Sequence, residues 1–251
     1  MPVRLMNADE YLNLERVEPT HWYYAGKREL VRSWIQRTRP PAPDDVLLDW
    51  GAGTGFFAKE MESCCRVLVL DNHEEALGML RRRFAPGQVL ALDDFGAAVA
   101  DGSLAYVTVL DVLEHMADDA GAVRTFHRLL RPGGLAVVTV PAGMALWNDW
   151  DRALHHYRRY SRRQLRALFP AAQWELVHVN YTNVAVYPAV WVARRWLRRS
   201  GGDSEGVRLR AEDRLPPRWL NRLLRSVFVG FGRSRIPFPL GVSLLLVARR
   251  R

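Results

Sequence analysis

Val46-Leu47-Leu48-Asp49-Trp50-Gly51-Ala52-Gly53-Thr54-Gly55-Phe56-Phe57 is the stretch on which the fold turns. A short, mostly apolar run that stops at glycine reads as a buried strand. Three alternate glycines follow, and then a helix from about Phe56. Glycine is needed where the backbone bends sharply or where a ligand must approach without a Cβ in the way. The helix behind it offers N–H groups that no carbonyl of its own turn can satisfy. A second strand, Arg66–Asp71, ends in a carboxylate about twenty residues on, where dinucleotide folds bind the ribose hydroxyls. The spacing here is Gly-x-Gly-x-Gly, not the Gly-x-Gly-x-x-Gly of a pyrophosphate loop.

Outward from this loop, strands and helices alternate. Residues 74–84 read as helix, 89–92 as extended and 104–110 as a fourth strand. A helix over 119–130 leads through Arg131-Pro132-Gly133-Gly134 to a fifth strand at 135–140. Alternation of this kind predicts an α/β fold, a parallel sheet with helices on both faces. Strands are also expected at 174–181 and 241–248. The sixty or so residues between them exceed a hairpin loop and hold two helices, 184–199 and 217–231, around the polar break 200–206. Residues 7–37 read as helical and aromatic, and Arg39–Asp45 as a proline-rich linker. The expected division is an N-terminal helical lid segment (1–43), a cofactor-binding domain (44–181 with 241–251) and a helical insertion on the acceptor side (182–240).

The chain has 251 residues, 49% apolar and 25% charged. That is enough for one large domain with an insertion and argues against disorder or a coiled coil as the main state. No apolar run reaches the ~18 residues of a membrane span, and the first ten residues do not read as a secretory signal. The two cysteines, Cys64 and Cys65, are adjacent and make no disulfide framework. A cytoplasmic location is expected. The net charge is +9, and all but two of the 36 basic residues are arginine. Such a balance suits phosphate, nucleic acid or an acidic membrane surface, and composition does not choose among them. The apolar-then-basic 184–199 helix suits peripheral membrane contact, or equally a core helix with a solvated basic tip.

Asp49-x-Gly51-x-Gly53-x-Gly55, Asp71, Asp93-Asp94-Phe95 and Leu129-Leu130-Arg131-Pro132-Gly133-Gly134 together resemble the ordered motifs of class I S-adenosylmethionine-dependent methyltransferases. The resemblance covers roughly residues 18–180 and resumes in the last strand. It implies a Rossmann-like seven-stranded sheet and S-adenosylmethionine as cofactor. It also implies roles: Asp49, Gly51 and Gly53 toward the methionine moiety, with Gly55 completing the loop. Asp71 with Asn72 would lie at the ribose, Asp94 and Phe95 at the adenine, and the Leu110 carbonyl at the cofactor ammonium.

Asp111-x-x-Glu114-His115 resembles the metal-binding stretch of two O-methyltransferase groups, one of ubiquinone synthesis and one acting on the 3′ end of small RNAs. Aligned on Tyr160-Ser161-Arg162, His156 falls at a fourth ligand of the second group. Asp111, Glu114, His115 and His156 are therefore the candidate ligands of a divalent cation, Mg²⁺ or Mn²⁺. Without a metal, His115 and His156 are the candidate bases, with His155 beside them. In the bland alternative, Asp151, His156 and Arg159 merely fix a loop. Glu18-x-x-His21-Trp22-Tyr23, Trp147-x-x-x-Asp151 and His156-x-Arg158-Arg159-Tyr160 are similar to a bacterial subgroup with unassigned acceptors. The leading expectation is methyl transfer to a small-molecule acceptor, at oxygen. Two readings stay open beside it: an RNA methyltransferase, although no dedicated nucleic-acid module is visible, and a cofactor-binding partner subunit without catalysis.

Overall fold

Residues 8–92, 98–199 and 215–251 are described in the computed structural model. Strands β1 (Val46–Trp50), β2 (Arg66–Asp71), β3 (Val89–Ala91), β4 (Leu104–Leu110) and β5 (Leu130–Pro141) are parallel. β6 (Trp174–Thr182) and β7 (Ser243–Arg250) complete a seven-stranded sheet of order β3-β2-β1-β4-β5-β7-β6. β7 is antiparallel to both of its neighbours. The order reverses between β1 and β4, the point where open α/β sheets hold their ligands, outside the carboxyl ends of the strands.

Strand side chains alternate between faces, and the core divides accordingly. Leu48, Ala136, Val138, Leu244 and Leu246 join one apolar cluster, and Leu47, Leu135, Val137, Leu245 and Val247 the other. Helix α5 (Asp119–Leu129) covers the first face with Val123, Phe126 and Leu129. The second face is covered by α2 (Trp22–Thr38), α3 (Phe56–Met61), α4 (Glu74–Arg83) and α9 (Arg218–Arg233), through Val31, Trp34, Phe57, Met61, Leu80 and Phe228.

The aromatic N-terminal stretch is two helices, not one. α1 (Ala8–Val17) stops before Glu18-Pro19-Thr20, since a residue ahead of proline is pushed out of helical geometry. α2 restarts at the His21 cap, whose Nδ1 accepts a 3.3 Å hydrogen bond from Tyr23 N. The fifth strand begins five residues earlier than expected, because Leu130 already pairs with Leu104 across an irregular register.

Short helices α6 (Asp149–Ala153) and α7 (Arg162–Ala167) follow β5. After β6, Asn183 adopts a left-handed φ of 58° and turns the chain into α8 (Tyr187–Arg199). α9 then runs alongside α2 in the same direction. Asn221 Oδ1 accepts from Trp22 N at one end, and Trp34 Nε1 donates to the Gly232 carbonyl at the other. The two helices touch through glycine: a Cβ at Gly26 would lie 2.8 Å from Phe228, and one at Gly232 would lie 2.4 Å from Leu30.

Candidate active site

The glycine loop is folded over the end of β2. Gly51 N and Ala52 N both donate to the Leu70 carbonyl, at 2.7 and 3.0 Å. This brings Gly53 N to 2.9 Å from Asp71 Oδ2. Asp71 Oδ1 accepts from Asn72 N and His73 N, so the buried carboxylate ties the loop to the first turn before α4. All three glycines have positive φ. At Gly51 a Cβ would strike Val112, and at Gly55 it would strike Leu80 and Phe84. At Gly53 it would meet nothing within 4 Å, so that position opens onto free space. Such a cradle, with unencumbered backbone above an acidic strand end, fits the cofactor that the motifs imply.

Asp49 lies beneath the loop, 3% exposed, and accepts from Thr108 Oγ1 at 2.6 Å. Burial raises its pKa to about 7, against the Thr108 hydrogen bond. Leu110 ends β4 beside it and pairs in register with Thr139. Asn72 is exposed at the rim. Asp94 and Phe95, expected at the adenine, lie outside the described residues.

The N-terminal helices reach this end of the sheet. Glu18 accepts from the Thr54 hydroxyl inside the glycine loop, and Arg83 joins Glu15 of α1 to the Thr54 carbonyl. On α2, Lys27 Nζ lies 2.8 Å from Asp111 Oδ2, and the Tyr23 hydroxyl lies 3.3 Å from the same oxygen. Thr139 Oγ1 donates to Asp111 Oδ1 at 3.0 Å. Burial alone would raise the Asp111 pKa, but Lys27 outweighs it and holds the carboxyl below its ordinary value. Burial likewise opposes the charge of Lys27, and Asp111 and then Tyr23 reverse the effect and raise its pKa. Tyr23 is pushed up to about 12, by burial first and by Asp111 second.

This placement corrects the expected ligand set. Asp111 has a left-handed φ of 58°, and its carboxylate points to Lys27, Tyr23 and Thr139. It does not converge with the other three candidates. Nothing local in the sequence marked Lys27 as its partner, 84 residues away.

Glu114, His115 and His156 do converge: one potential ligand atom from each lies within 4.8 Å of the others. Glu114 and His115 sit on a 3-10 turn, Leu113–His115, just beyond β4. The loop carrying His156 is fastened to that turn. Tyr157 N donates to the Glu114 carbonyl at 2.8 Å, and the Tyr160 hydroxyl lies 3.2 Å from the Leu113 carbonyl. His156 Nδ1 is 2.9 Å from Asp151 Oδ1, which also accepts from Arg159 Nε at 2.7 Å. Burial would raise the Asp151 pKa, but His156 and Arg159 overcome it and keep the group ionised. An ionised carboxylate only accepts, so His156 donates to Asp151 through Nδ1 and Nε2 is the ring nitrogen left for another partner.

Glu114 is 1% exposed, and its Oε2 has no hydrogen-bond partner among the described residues. Burial and then Asp111 push its pKa well up. The His115 pKa falls to about 4, through desolvation first and His156 second, so the ring is neutral near pH 7. His155 is exposed and outside this group.

Comparison with known proteins agrees with this fold. The model of a family described as a methyltransferase domain matches residues 23–179. A probable S-adenosylmethionine-dependent methyltransferase of Mycolicibacterium smegmatis is 27% identical over 213 residues, 84% of this chain and 79% of that protein. A ubiquinone biosynthesis O-methyltransferase of Aromatoleum aromaticum is 35% identical over 108 residues, 40% of this chain and 45% of that protein. Several curated relatives are longer than their matched part, and the chain spans 32–57% of their length. Among solved structures, the chain is similar in fold to a putative sarcosine dimethylglycine methyltransferase from Galdieria sulphuraria. The TM-score is 0.58 at 14% identity, over 89% of this chain and 84% of that one.

Proposed function

The chain belongs to the methyltransferase domain family, and from that premise we propose that it transfers the methyl group of S-adenosylmethionine to an oxygen of a small-molecule acceptor. The observation that carries the reading is the open Gly53 position, latched to Asp71 and set above Asp49. The bound cofactor supplies a sulfonium methyl carbon, which the acceptor oxygen attacks in line while the carbon–sulfur electron pair returns to sulfur.

The chain's own residues then have three tasks. Gly51, Gly53 and Asp71 hold the cofactor, with Asp49 facing its amino-acid end and Asn72 at the rim. The Lys27–Asp111 pair fastens α2 beside the cleft and helps to exclude water. His156, with Nδ1 engaged by Asp151, takes the acceptor's proton on Nε2. General-base help of this kind contributes about 10²–10⁴ in rate. The 182–240 segment supplies part of the acceptor side.

A second reading is favoured by the unpartnered Glu114 Oε2 beside the His115 and His156 imidazoles. Glu114, His115 and His156 would hold a divalent cation, which would lower the pKa of an acceptor hydroxyl in place of a base. Calorimetry with S-adenosylhomocysteine tests the cofactor reading. Wild type should bind, and folded Asp71→Ala should lose about 1.5–3 kcal/mol; unchanged affinity rejects the assignment. Mn²⁺ titration followed by electron paramagnetic resonance separates the two proton-removal schemes. Binding that disappears in Glu114→Gln supports the metal. No binding, with turnover intact in excess chelator and lost in His156→Ala, supports the base.

A further inference from the structure

Six of the large exposed apolar side chains lie on elements that border one edge of the sheet. Met144 is 54% exposed, Val192 58%, Trp219 69%, Leu223 52% and Leu240 51%, with Trp191 exposed beside Val192. Topology places all of them on elements that leave or approach the carboxyl edge of the parallel strands. Met144 opens the 3-10 turn directly after β5. α8 departs from the end of β6, and its Arg194 guanidinium donates to the Leu146 carbonyl of that turn. The first turns of α9 are tied to Thr20 and Trp22 through Asn221, at the α2 end that carries Tyr23 and Lys27. Leu240 precedes Ser243, which pairs with Pro141 and Thr182 at the strand ends.

The charge on these elements is of one sign. Residues 183–202 and 214–240 contain no aspartate or glutamate. They contain ten arginines: 194, 195, 198, 199, 214, 218, 222, 225, 233 and 235. Arg225 and Arg233 pair with Glu29 of α2. Arg195 lies 5.4 Å from the Trp191 ring centre, so cation and indole share one surface.

Single exposed apolar residues are ordinary. A collection of tryptophan, leucine, valine and methionine, in which the only charged residues along α8 and α9 are arginines, is not the surface of a solvated helix. Indole and aliphatic groups partition into the boundary between headgroups and acyl chains, and arginine binds the phosphates there. Two other occupants fit less well. A second copy would set arginines against arginines with no acid to pair them. RNA would use the arginines and the indoles but leave Met144, Val192, Leu223 and Leu240 without a role. Among the described residues no helix is long and apolar enough to cross a membrane, so the contact is with a surface. We infer that this edge docks on an anionic phospholipid surface, with Trp191, Trp219 and Leu223 seated among the headgroups and the mouth of the cleft turned toward the lipid.

Sedimentation of the full chain with vesicles tests the inference. Vesicles of equal parts phosphatidylglycerol and phosphatidylcholine should pull the protein down and shift its tryptophan emission to the blue; pure phosphatidylcholine should do neither. The double variants Trp219→Ser with Leu223→Ser, and Arg195→Glu with Arg222→Glu, should each weaken partitioning at least tenfold while S-adenosylhomocysteine affinity stays unchanged as the check on folding. If wild type ignores anionic vesicles, or both variants partition as wild type does, the inference fails. It fails equally if the same variants abolish binding to single-stranded RNA, or dissolve a dimer seen by light scattering, while vesicles are not bound. Because vesicle binding is scored without turnover, its failure is separable from failure of the proposed activity.

Discussion

A methyl group added at Gly53 enters open space, whereas one added at Gly51 or Gly55 collides with a side chain 2.5–2.7 Å away. The three positions should therefore fail differently. Gly53→Ala should cost about 1–2 kcal/mol for the left-handed backbone and weaken S-adenosylhomocysteine at least tenfold. Gly51→Ala and Gly55→Ala should lower stability by about 3 kcal/mol or more, since strain and overpacking add. Urea melts beside calorimetry check this, and equal behaviour at all three positions contradicts the cradle. Asp49 gives a pH signature. Its folded pKa of about 7 is above the unfolded value, so the folded chain binds the extra proton between about pH 4 and 7. Its contribution is complete below pH 4 and is lost as pH rises through 7. Asp49→Asn should remove a fall of about 2–3 kcal/mol between pH 5 and 7.5, read as the difference in stability from urea melts at those two pH values. Identical pH slopes in the two proteins rule this out. The glycines and Asp71 were legible from spacing because a backbone bend and a strand end are local events. The direction of the Asp111 side chain was not, because it depends on a left-handed φ and on a lysine supplied by another element.

Helix α2 links two regions of the molecule. Its first turns hold Asp111 through Tyr23 and Lys27, and its middle packs on α9 through Gly26 and Gly232. Replacing Lys27 by methionine leaves a half-buried carboxylate with only hydroxyl donors, which should cost about 2–4 kcal/mol. Lys27→Met with Asp111→Asn should recover at least half of that loss. A double variant no better than the single one in urea denaturation shows that packing, not charge, fixes α2 here. The alternating strands and helices were readable because parallel strands buried on both faces must be apolar throughout. The partnership of α2 with α9 was not, because it depends on two helices almost two hundred residues apart whose glycines carry no local pattern. Pro19 divides the stretch read as helical over 7–37 into two helices, a break that the aromatic run across it concealed.

At the scale of the whole molecule, β7 joins β5 to β6, and its Leu244–Ala248 stretch is fully buried between two apolar layers. Leu245→Ala should cost about 2–5 kcal/mol and lower the stability of the sheet as one unit. Tryptophan fluorescence and far-ultraviolet circular dichroism should then give coincident urea transitions; a separate early transition by either probe would show that the β6–β7 edge melts alone.

The same strand order imposes a schedule on synthesis. β6 emerges some sixty residues before β7, yet it pairs with no other strand. At about 5–20 residues per second, the ribosome leaves it waiting for several seconds with both edges bare, and β5 waits with one. Only when β7 arrives do the two halves of the sheet zip together. The nascent chain is thus most exposed to edge-to-edge pairing with a neighbour on the same polysome during that interval, and codon speed across residues 183–242 becomes a determinant of yield.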